Sequence, residues 1–337
     1  MGSPDNNPGI GGAEGLVDAA LAGDRRALAR LLTAVENRTP TAESALRRLY
    51  PLAGRAHVVG ITGPPGSGKS TLVASLTSVA REAGRTVGVI AVDPSSPITG
   101  GALLGDRVRM QIHAGDNDVF IRSMAARGHA GGLASTSSAA AAVMDAAGFD
   151  LILSETVGTG QSEGEVAAAA DTTVVLEAPE MGDEVQAIKV GLLEVADLVV
   201  VNKGDRPGAL RTASQLRAML VAAPRAGDKR AAGDRPRPKQ PVVLVTTAST
   251  GAGVPELLAA LDRHRAITRD AAAPAARRAR AEAQVWAVVA ERLRERLASD
   301  GLRATSDAVL ADVADHRLDP YAAADQLLAA LTTDQPK

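Results

Sequence analysis

The amino-acid sequence predicts an α/β fold in which a mostly parallel central sheet is flanked by helices. From His57 onward, short runs rich in Val, Ile and Leu alternate with longer amphipathic segments, as strands alternate with helices in parallel sheets. The runs are almost continuously apolar, which is typical of strands that are buried on both faces. The predicted strands are residues 57–62, 86–92, 150–155, 172–178, 197–202 and 241–247.

The sequence predicts three parts: a helical extension over residues 1–55, an α/β domain over residues 56–267 and a helical dimerisation arm over residues 268–337. In the first part apolar residues recur at helical spacing, and Asp24 and Thr41 stand where helix N-caps are expected. In the third part the apolar residues between Val285 and Leu297 predict a long amphipathic helix. Asp319-Pro320 predicts the start of a final helix.

The composition excludes several classes of protein. A net charge of −2 over 337 residues gives no electrostatic reason to expect nucleic acid or a membrane surface as a partner. The chain has no cysteine, which excludes disulfides and thiolate metal sites and fits a reducing compartment. It shows neither a signal peptide nor the roughly 20 consecutive apolar residues of a membrane span. We therefore expect a cytoplasmic protein.

A phosphate-binding loop is predicted after the first strand. Residues 63–70 read GPPGSGKS, which matches the P-loop pattern G-x-x-x-x-G-K-[ST], and a helix is predicted over residues 71–82. Glycines let backbone N–H groups approach phosphate oxygens, and the helix N-terminus adds positive potential. Lys69 is expected to contact the β- and γ-phosphates, and Ser70 to offer its hydroxyl to Mg²⁺. The predicted nucleotide contacts here are Gly63, Pro64, Pro65, Gly66, Ser67, Gly68, Lys69, Ser70 and Thr71.

The base is predicted to be guanine, so the ligands are GTP and GDP. Asn202, Lys203 and Asp205 form an N-K-x-D pattern at the end of a buried strand. The Asp205 carboxylate can accept hydrogen bonds from guanine N1–H and the 2-amino group, whereas adenine has neither donor and would leave the charge unpaired. The aliphatic stem of Lys203 can cover one face of the base. The later stretch TTASTGAGV, which contains Ser249, is similar to the loop that steadies the base in such proteins.

Acidic residues are predicted to hold Mg²⁺ beside the phosphates. Glu155 ends one buried strand and Gly158 follows it, so that the acid could reach the metal and the glycine N–H the γ-phosphate. Asp93 ends another strand and opens the glycine-containing segment DPSSPITGGALLGDRVRM, which includes Asp106 and which we interpret as a switch segment. The carboxyl ends of parallel strands share one edge of the sheet, so these acids should converge. The predicted metal ligands are Ser70, Asp93, Asp106 and Glu155, and the predicted catalytic residues are Lys69, Asp93, Asp106 and Glu155.

Long stretches of the sequence resemble the MeaB/ArgK family of P-loop GTPases, which includes the methylmalonic aciduria type A protein. The matching stretches are GITGPPGSGKSTL, AVDPSSPITGGALLGDRVRM, AGFDLILSETVGTGQSE, GDEVQAIKVGLLEVADLVVVNKGD and His264-Arg265. The resemblance implies a SIMIBI-class GTPase that chaperones a coenzyme B12-dependent acyl-CoA mutase, such as methylmalonyl-CoA mutase, during cofactor loading and protects it. It also implies Mg²⁺ at the four ligands above, a homodimer made by the C-terminal helices, and a mobile element at residues 182–189 that relays the nucleotide state.

Several interpretations stay open beside this one. NKGD replaces the family's usual NKAD, and FIRSMAARGHAGGLAST and VLEAPEMGDEV are variant stretches, so the mutase that is served is not fixed by the sequence. A metallocofactor-insertion GTPase would need a Cys/His cluster, but the five histidines are scattered. An ArgK-type transport-associated kinase and a small-molecule kinase are further alternatives. Gln161 is a candidate for positioning water, and the basic, proline-rich residues 224–241 form either a partner surface or a solvated loop.

Overall fold

The computed structural model describes residues 12–94, 111–113, 115–126, 132–155, 170–179, 196–222, 241–270 and 273–333. The helices are α1 (Ala13–Leu21), α2 (Arg25–Glu36), α3 (Pro40–Leu49), α4 (Lys69–Glu82), α5 (Gly132–Ala146), α6 (Ala209–Ala222), α7 (Val254–Asp270), α8 (Ala273–Leu297), α9 (Asp300–Ala314) and α10 (Pro320–Thr333). The strands are β1 (His57–Thr62), β2 (Val87–Pro94), β3 (Val119–Ala126), β4 (Leu151–Glu155), β5 (Thr172–Glu177), β6 (Leu198–Val201) and β7 (Val242–Val245). Short 3₁₀ turns lie at Tyr50–Leu52 and Gln111–His113.

The strands form one parallel seven-stranded sheet in the order β3-β2-β4-β1-β5-β6-β7. The predicted α/β fold is therefore confirmed, and all six predicted strands are present. β3 was not predicted because its sequence VFIRSMAA mixes apolar and polar residues. It lies at an outer position of the sheet, where no strand among the described residues pairs with its second side and the apolar run of a central strand is not required.

The helices before β1 pack on one face of this sheet. Leu28, Leu31 and Leu32 of α2 share a buried core with Ile90 of β2 and Ile152 of β4. Asp24 caps α2 as predicted, since its side chain accepts hydrogen bonds from the backbone N–H groups of residues 26 and 27. The predicted N-cap at Thr41 is wrong: α3 is capped by Thr39, because Pro40 occupies the first helical position, where its fixed φ suits the helix.

Arginines from two helices donate to backbone carbonyls on the two outer strands or just before them. Arg25 of α2 donates to the carbonyls of Asn117 and Val119 at 2.5 and 2.7 Å, and its guanidinium lies 5.1 Å from the centre of the Phe120 ring. At the other outer strand, β7, Arg217 of α6 donates to the Val243 carbonyl at 2.9 Å. We call Arg25 and Arg217 the outer-strand arginines.

We call the end of the sheet at which the strands begin its amino edge, and the end at which they finish its carboxyl edge. At the amino edge, aspartates accept hydrogen bonds from backbone N–H groups. The carboxylate of Asp145, on α5, accepts from residues 54, 55 and 56 at 2.6, 3.1 and 3.0 Å, just before β1 begins. Asp171, Asp150 and Asp197 accept from Val58, Thr86 and Thr173 at 3.0, 2.9 and 2.8 Å. These carboxylates satisfy the N–H groups with which the strands start.

The described residues form two compact units, one ending at Glu282 and the other beginning at Ala283, so the limit falls within α8. The predicted domain limits at residues 55 and 267 stay predictions. In the second unit α9 and α10 bury Leu302, Val309, Ala323 and Leu331. Within the parts of the chain that the structure describes, no helix combines the length and apolar character needed to cross a membrane.

Candidate nucleotide site

The P-loop connects the carboxyl end of β1 to α4. Gly63 has a φ of 146°, and a Cβ atom there would lie 2.2 Å from the Leu176 carbonyl oxygen of β5. Gly68, with a φ of 94°, caps α4, and a Cβ atom there would lie 2.5 Å from Asn202 Nδ2. A larger residue at either position would meet both a conformational penalty and a steric clash. The loop therefore turns where it does because both positions are glycine.

Lys69 and Ser70 open α4, which begins two residues before the predicted start at Thr71. Lys69 Nζ donates to the carbonyls of Gly63 and Pro64 at 2.8 and 3.2 Å, so the ammonium group lies in the curve of the loop. Ser70 Oγ donates to Glu155 Oε1 at 2.7 Å, and both side chains are buried. The structure thus brings together the lysine, hydroxyl and carboxylate that the sequence assigned to phosphate and metal.

Glu155 reaches the loop because of the strand register. It lies beside Ile61 of β1 and Ala91 of β2, level with the last residues before the P-loop. β2 continues to Pro94, three residues beyond Ala91, so the Asp93 backbone lies at the same carboxyl edge, paired with Ala125 of β3. The convergence predicted for these strand ends is therefore present for Glu155 and for the position of Asp93.

The Ser70 hydroxyl and the Glu155 carboxylate are suitable ligands for a magnesium ion. The buried Ser70 hydroxyl and Glu155 carboxylate supply the oxygen ligands that Mg²⁺ prefers. The Asp93 side chain and the whole of Asp106 lie outside the described residues, so the four-ligand set stays a prediction. In the described part of the chain, no three His, Cys, Asp or Glu side chains are grouped to hold a metal.

Asn202 fastens the guanine-motif turn to the P-loop. Its Nδ2 donates to the Ser67 carbonyl at 2.9 Å, while its Oδ1 accepts from Thr246 Oγ1 at 3.2 Å and from the Ala248 N–H at 3.0 Å. Its own N–H donates to the Glu177 carbonyl at 2.8 Å. One buried asparagine therefore joins the P-loop and the loop after β7 through its side chain, and β5 through its backbone N–H. Thr246 opens the stretch TTASTGAGV that the sequence assigned to the base loop. Sequence reasoning did not identify Glu177 as part of the site, since it belongs to no nucleotide motif.

Lys203 and Asp205 follow on the surface side of this turn. Lys203 adopts a left-handed φ of 56°, and its Nζ donates to the Gly66 carbonyl at 2.6 Å. Asp205 and Ser249 are exposed, as groups that meet a ligand from solution must be. Gly253 closes the loop that carries Ser249: a Cβ atom there would lie 2.3 Å from the Val245 carbonyl oxygen. Gly253 lies in the stretch that the sequence assigned to the base loop, but its close contact with β7 was not predicted.

Several sequence predictions fall outside the described residues. These are residues 95–110 of the switch segment with Asp106, Gly158, Gln161, the relay at residues 182–189, and the loop at 224–241 apart from Pro241.

Comparisons with known proteins identify relatives of this chain. The profile of the family described as methylmalonyl Co-A mutase-associated GTPase MeaB matches residues 28–301. A Pyrococcus abyssi protein named as a GTPase is 45% identical over 314 residues, which are 93% of this chain and 95% of that protein. The Mus musculus protein named methylmalonic aciduria type A homolog, mitochondrial, is 36% identical over 249 residues, which are 70% of this chain and 59% of that protein.

A solved structure gives the same result for the fold. The crystal structure of LAO/AO transport system kinase superposes with a TM-score of 0.67 at 25% identity, covering 98% of this chain and 100% of that one. A P-loop whose lysine and serine meet a strand-end glutamate, an N-K-x-D turn joined to that loop, and a family profile over most of the residues all lead to one assignment. The chain belongs to the MeaB family of P-loop GTPases.

Proposed function

We propose that this GTPase is a nucleotide-dependent chaperone of a coenzyme B12-dependent acyl-CoA mutase of the methylmalonyl-CoA mutase type, which it assists in cofactor loading and protection. The observation that carries the proposal is the mutase-associated family profile, which spans the whole nucleotide site from the P-loop to the base loop. The likeness to the mouse methylmalonic aciduria type A homolog supports it.

The chemistry follows from the charges at the carboxyl edge. Lys69 would move from the P-loop carbonyls to the phosphate oxygens when GTP enters, because a phosphate offers a full negative charge in place of two neutral acceptors. Ser70 and Glu155, with Asp93 and Asp106, would hold Mg²⁺, which neutralises charge on the β- and γ-phosphates. Asp205 would select guanine by accepting from its two donors.

The nucleotide site has a physical connection to the proposed relay at residues 182–189. The end of β5 lies between Gly63, which approaches the Leu176 carbonyl, and Asn202, whose N–H donates to Glu177. The chain then passes through the buried residues Ala178 and Pro179 toward Gly182. We therefore expect a change at either predicted nucleotide contact to act on the residues that lead toward the proposed relay.

The decisive experiment measures phosphate release from GTP and from ATP, with and without purified methylmalonyl-CoA mutase. We expect GTP, but not ATP, to be hydrolysed. The mutase should change the rate of GTP hydrolysis by roughly 5- to 150-fold, the factor to which ordinary coupling free energies correspond. Lys189→Ala should keep basal hydrolysis while losing the stimulation. If no coenzyme B12-dependent mutase changes the rate, the partner assignment fails; normal stimulation of Lys189→Ala would reject only the relay.

The likeness to LAO/AO transport system kinase supports one alternative, phosphoryl transfer to a protein. Terminally labelled GTP separates the two functions, since a GTPase releases the label as inorganic phosphate and a kinase leaves it on a protein acceptor. We expect release.

We also propose a homodimer made by the C-terminal helices. Val285 and Trp286 of α8 are 60% and 62% exposed, and Tyr321 of α10 is 86% exposed. Exposed Trp and Tyr side chains are the residue types most enriched at interface hot spots. Truncation after Ile267 should give monomers that still bind GTP, as measured by light scattering and nucleotide titration. A truncated protein that remains dimeric would place the interface elsewhere.

A further inference from the structure

Two histidines share one threonine hydroxyl at the amino edge of the sheet, on the opposite side from the nucleotide site. Thr172, the first residue of β5, has its Oγ1 2.8 Å from His57 Nε2 and 2.8 Å from His264 Nδ1. His264 Nε2 lies 3.6 Å from the Asp197 carboxylate, just beyond hydrogen-bond distance. Each of these side chains is at most 6% exposed. We call these four residues the histidine network.

The direction of the hydrogen bonds can be worked out from the number of protons. A threonine hydroxyl has one proton, so it can donate to only one of the two imidazoles and must accept from the other. The Asp197 carboxylate favours an N–H on the facing His264 Nε2. His264 is then an acceptor at Nδ1, Thr172 donates to it, and His57 donates to Thr172 through Nε2–H. Both imidazoles are neutral Nε2–H tautomers in this arrangement.

Two buried ring nitrogens of the network have no hydrogen-bond partner among the residues that the structure describes: His264 Nε2, which faces Asp197, and His57 Nδ1. In this arrangement His57 Nδ1 carries the unused lone pair. The charged groups that act on His57 come from several elements: Asp171 before β5, Asp262, His264 and Arg265 on α7. Asp262 is itself held in a bidentate pair with Arg85, at 2.8 and 2.6 Å. The ion pair offsets the charge of Asp262, and Asp171 accepts a backbone N–H.

We propose that the histidine network is a one-proton switch that joins helix α7 to the amino edge of the sheet. A proton taken from water at His57 Nδ1 allows the Nε2 proton of His57 to pass to Thr172, whose own proton passes to His264 Nδ1. His57 ends neutral as the Nδ1–H tautomer, Thr172 now donates to His57, and His264 carries the charge beside Asp197. One proton enters, every donor direction reverses, and no proton is left unassigned.

The consequence falls on α7. His264 is attached to β5 through Thr172 at a position ten residues after Val254, where α7 begins directly behind the base loop. When His264 becomes charged, the contact at 3.6 Å between a neutral imidazole and the Asp197 carboxylate becomes an ion pair. The same helix turn also holds the loop before β1, since Arg265 donates to the Arg55 carbonyl. Proton uptake should therefore alter how firmly the last turns of α7 are held.

The test is nitrogen-15 NMR of the full-length protein labelled at histidine. At pH 7.5 we expect both His57 and His264 as Nε2–H tautomers. On acidification toward pH 4.5 they should change together, His57 toward Nδ1–H and His264 toward the charged form, because they share one proton. Hydrogen exchange provides a second readout. After correction for the intrinsic rate, protection of amides 261–268 should change roughly tenfold over the same range.

Thr172→Val removes the hydroxyl with little change of shape and should uncouple the two imidazoles, so that they no longer change together. Thr77→Val is the matched control, since Thr77 is an equally buried threonine on α4 that donates only to the Val73 carbonyl. The proposal is overturned if wild-type His264 is protonated at Nδ1 at pH 7.5. It is also overturned if the protein unfolds before either tautomer changes, or if the valine variant at residue 172 titrates as the wild type does.

Discussion

The carboxyl and amino edges of the one sheet use buried polar side chains in opposite ways. At the carboxyl edge, Lys69 contacts neutral carbonyls and Ser70 donates to Glu155, in surroundings shaped by positive-φ glycines. At the amino edge, Asp145 accepts three backbone N–H groups at once. At the carboxyl edge the charged side chains remain available for a ligand. At the amino edge the carboxylates accept hydrogen bonds from backbone N–H groups. Substitutions at the two edges should therefore separate function from stability.

The largest effect should come from Lys69→Ala at the carboxyl edge. Losing the ammonium group that donates to the Gly63 and Pro64 carbonyls should slow GTP hydrolysis by roughly 10²–10³-fold, as removal of a single electrostatic donor does in other enzymes. The free energy of unfolding should change little, since a buried charge is removed together with its contacts. Phosphate release and denaturant unfolding measure the two quantities, with Arg263→Ala, on the exposed side of α7, as control. Hydrolysis within tenfold of wild type would contradict the assignment.

Asp205→Asn tests the same edge at the base. We expect GTP to bind roughly 2–4 kcal/mol more weakly, because a charge-assisted pair with two guanine donors is lost. Xanthosine nucleotides should gain affinity, since the amide can donate to the oxygen that replaces the 2-amino group. Titration with both nucleotides checks this, and Asp307→Asn, an exposed aspartate on α9, is the matched control. Unchanged GTP affinity would remove Asp205 from the site.

The amino edge should instead show itself in the pH dependence of stability. Burial lowers the pKa of His57 from 6.5 to about 4. Above pH 6.5 the residue is neutral in both the folded and unfolded states. As pH falls from 6.5 toward 4 the unfolded chain takes up the proton first, so about 3 kcal/mol of unfolding free energy should be lost. Denaturant unfolding at pH 7.5, 5.5 and 4.5 measures this slope.

His57→Gln should flatten that pH profile, while His316→Asn, at an exposed histidine, should leave it unchanged. An equal slope in the glutamine variant would show that another group is responsible.

The smallest effect in this series is expected for Asp145→Asn. The amide keeps the shape of the side chain but loses the charge that three N–H groups share, and its Nδ2 cannot accept. About 2 kcal/mol of unfolding free energy should be lost. GTP affinity should be unchanged, because the contact lies at the opposite edge from the nucleotide. A loss of GTP affinity without a loss of stability would contradict the division between the edges.

Much of the carboxyl edge was predictable from the sequence, because P-loop and base-motif residues are close in sequence or have fixed roles at strand ends. The amino edge was not. Asp171 and Asp197 each stand directly before a strand, but which N–H they accept depends on the order of strands in the sheet. The histidine network joins residues 57, 172, 197 and 264, which no local pattern relates. β3 was missed for a similar reason: its mixture of apolar and polar residues makes sense only once its outer position in the sheet is known.

The outer-strand arginines have a consequence for the protein in a crowded solution. An open sheet side presents unpaired backbone groups on which a strand of another molecule can add. Arg25 already occupies the carbonyls of Asn117 and Val119, and Arg217 that of Val243. Two copies that approached by matching sides would also bring like charges together. Replacing either arginine with alanine would therefore raise the tendency to aggregate during expression, even where the folded monomer loses little stability.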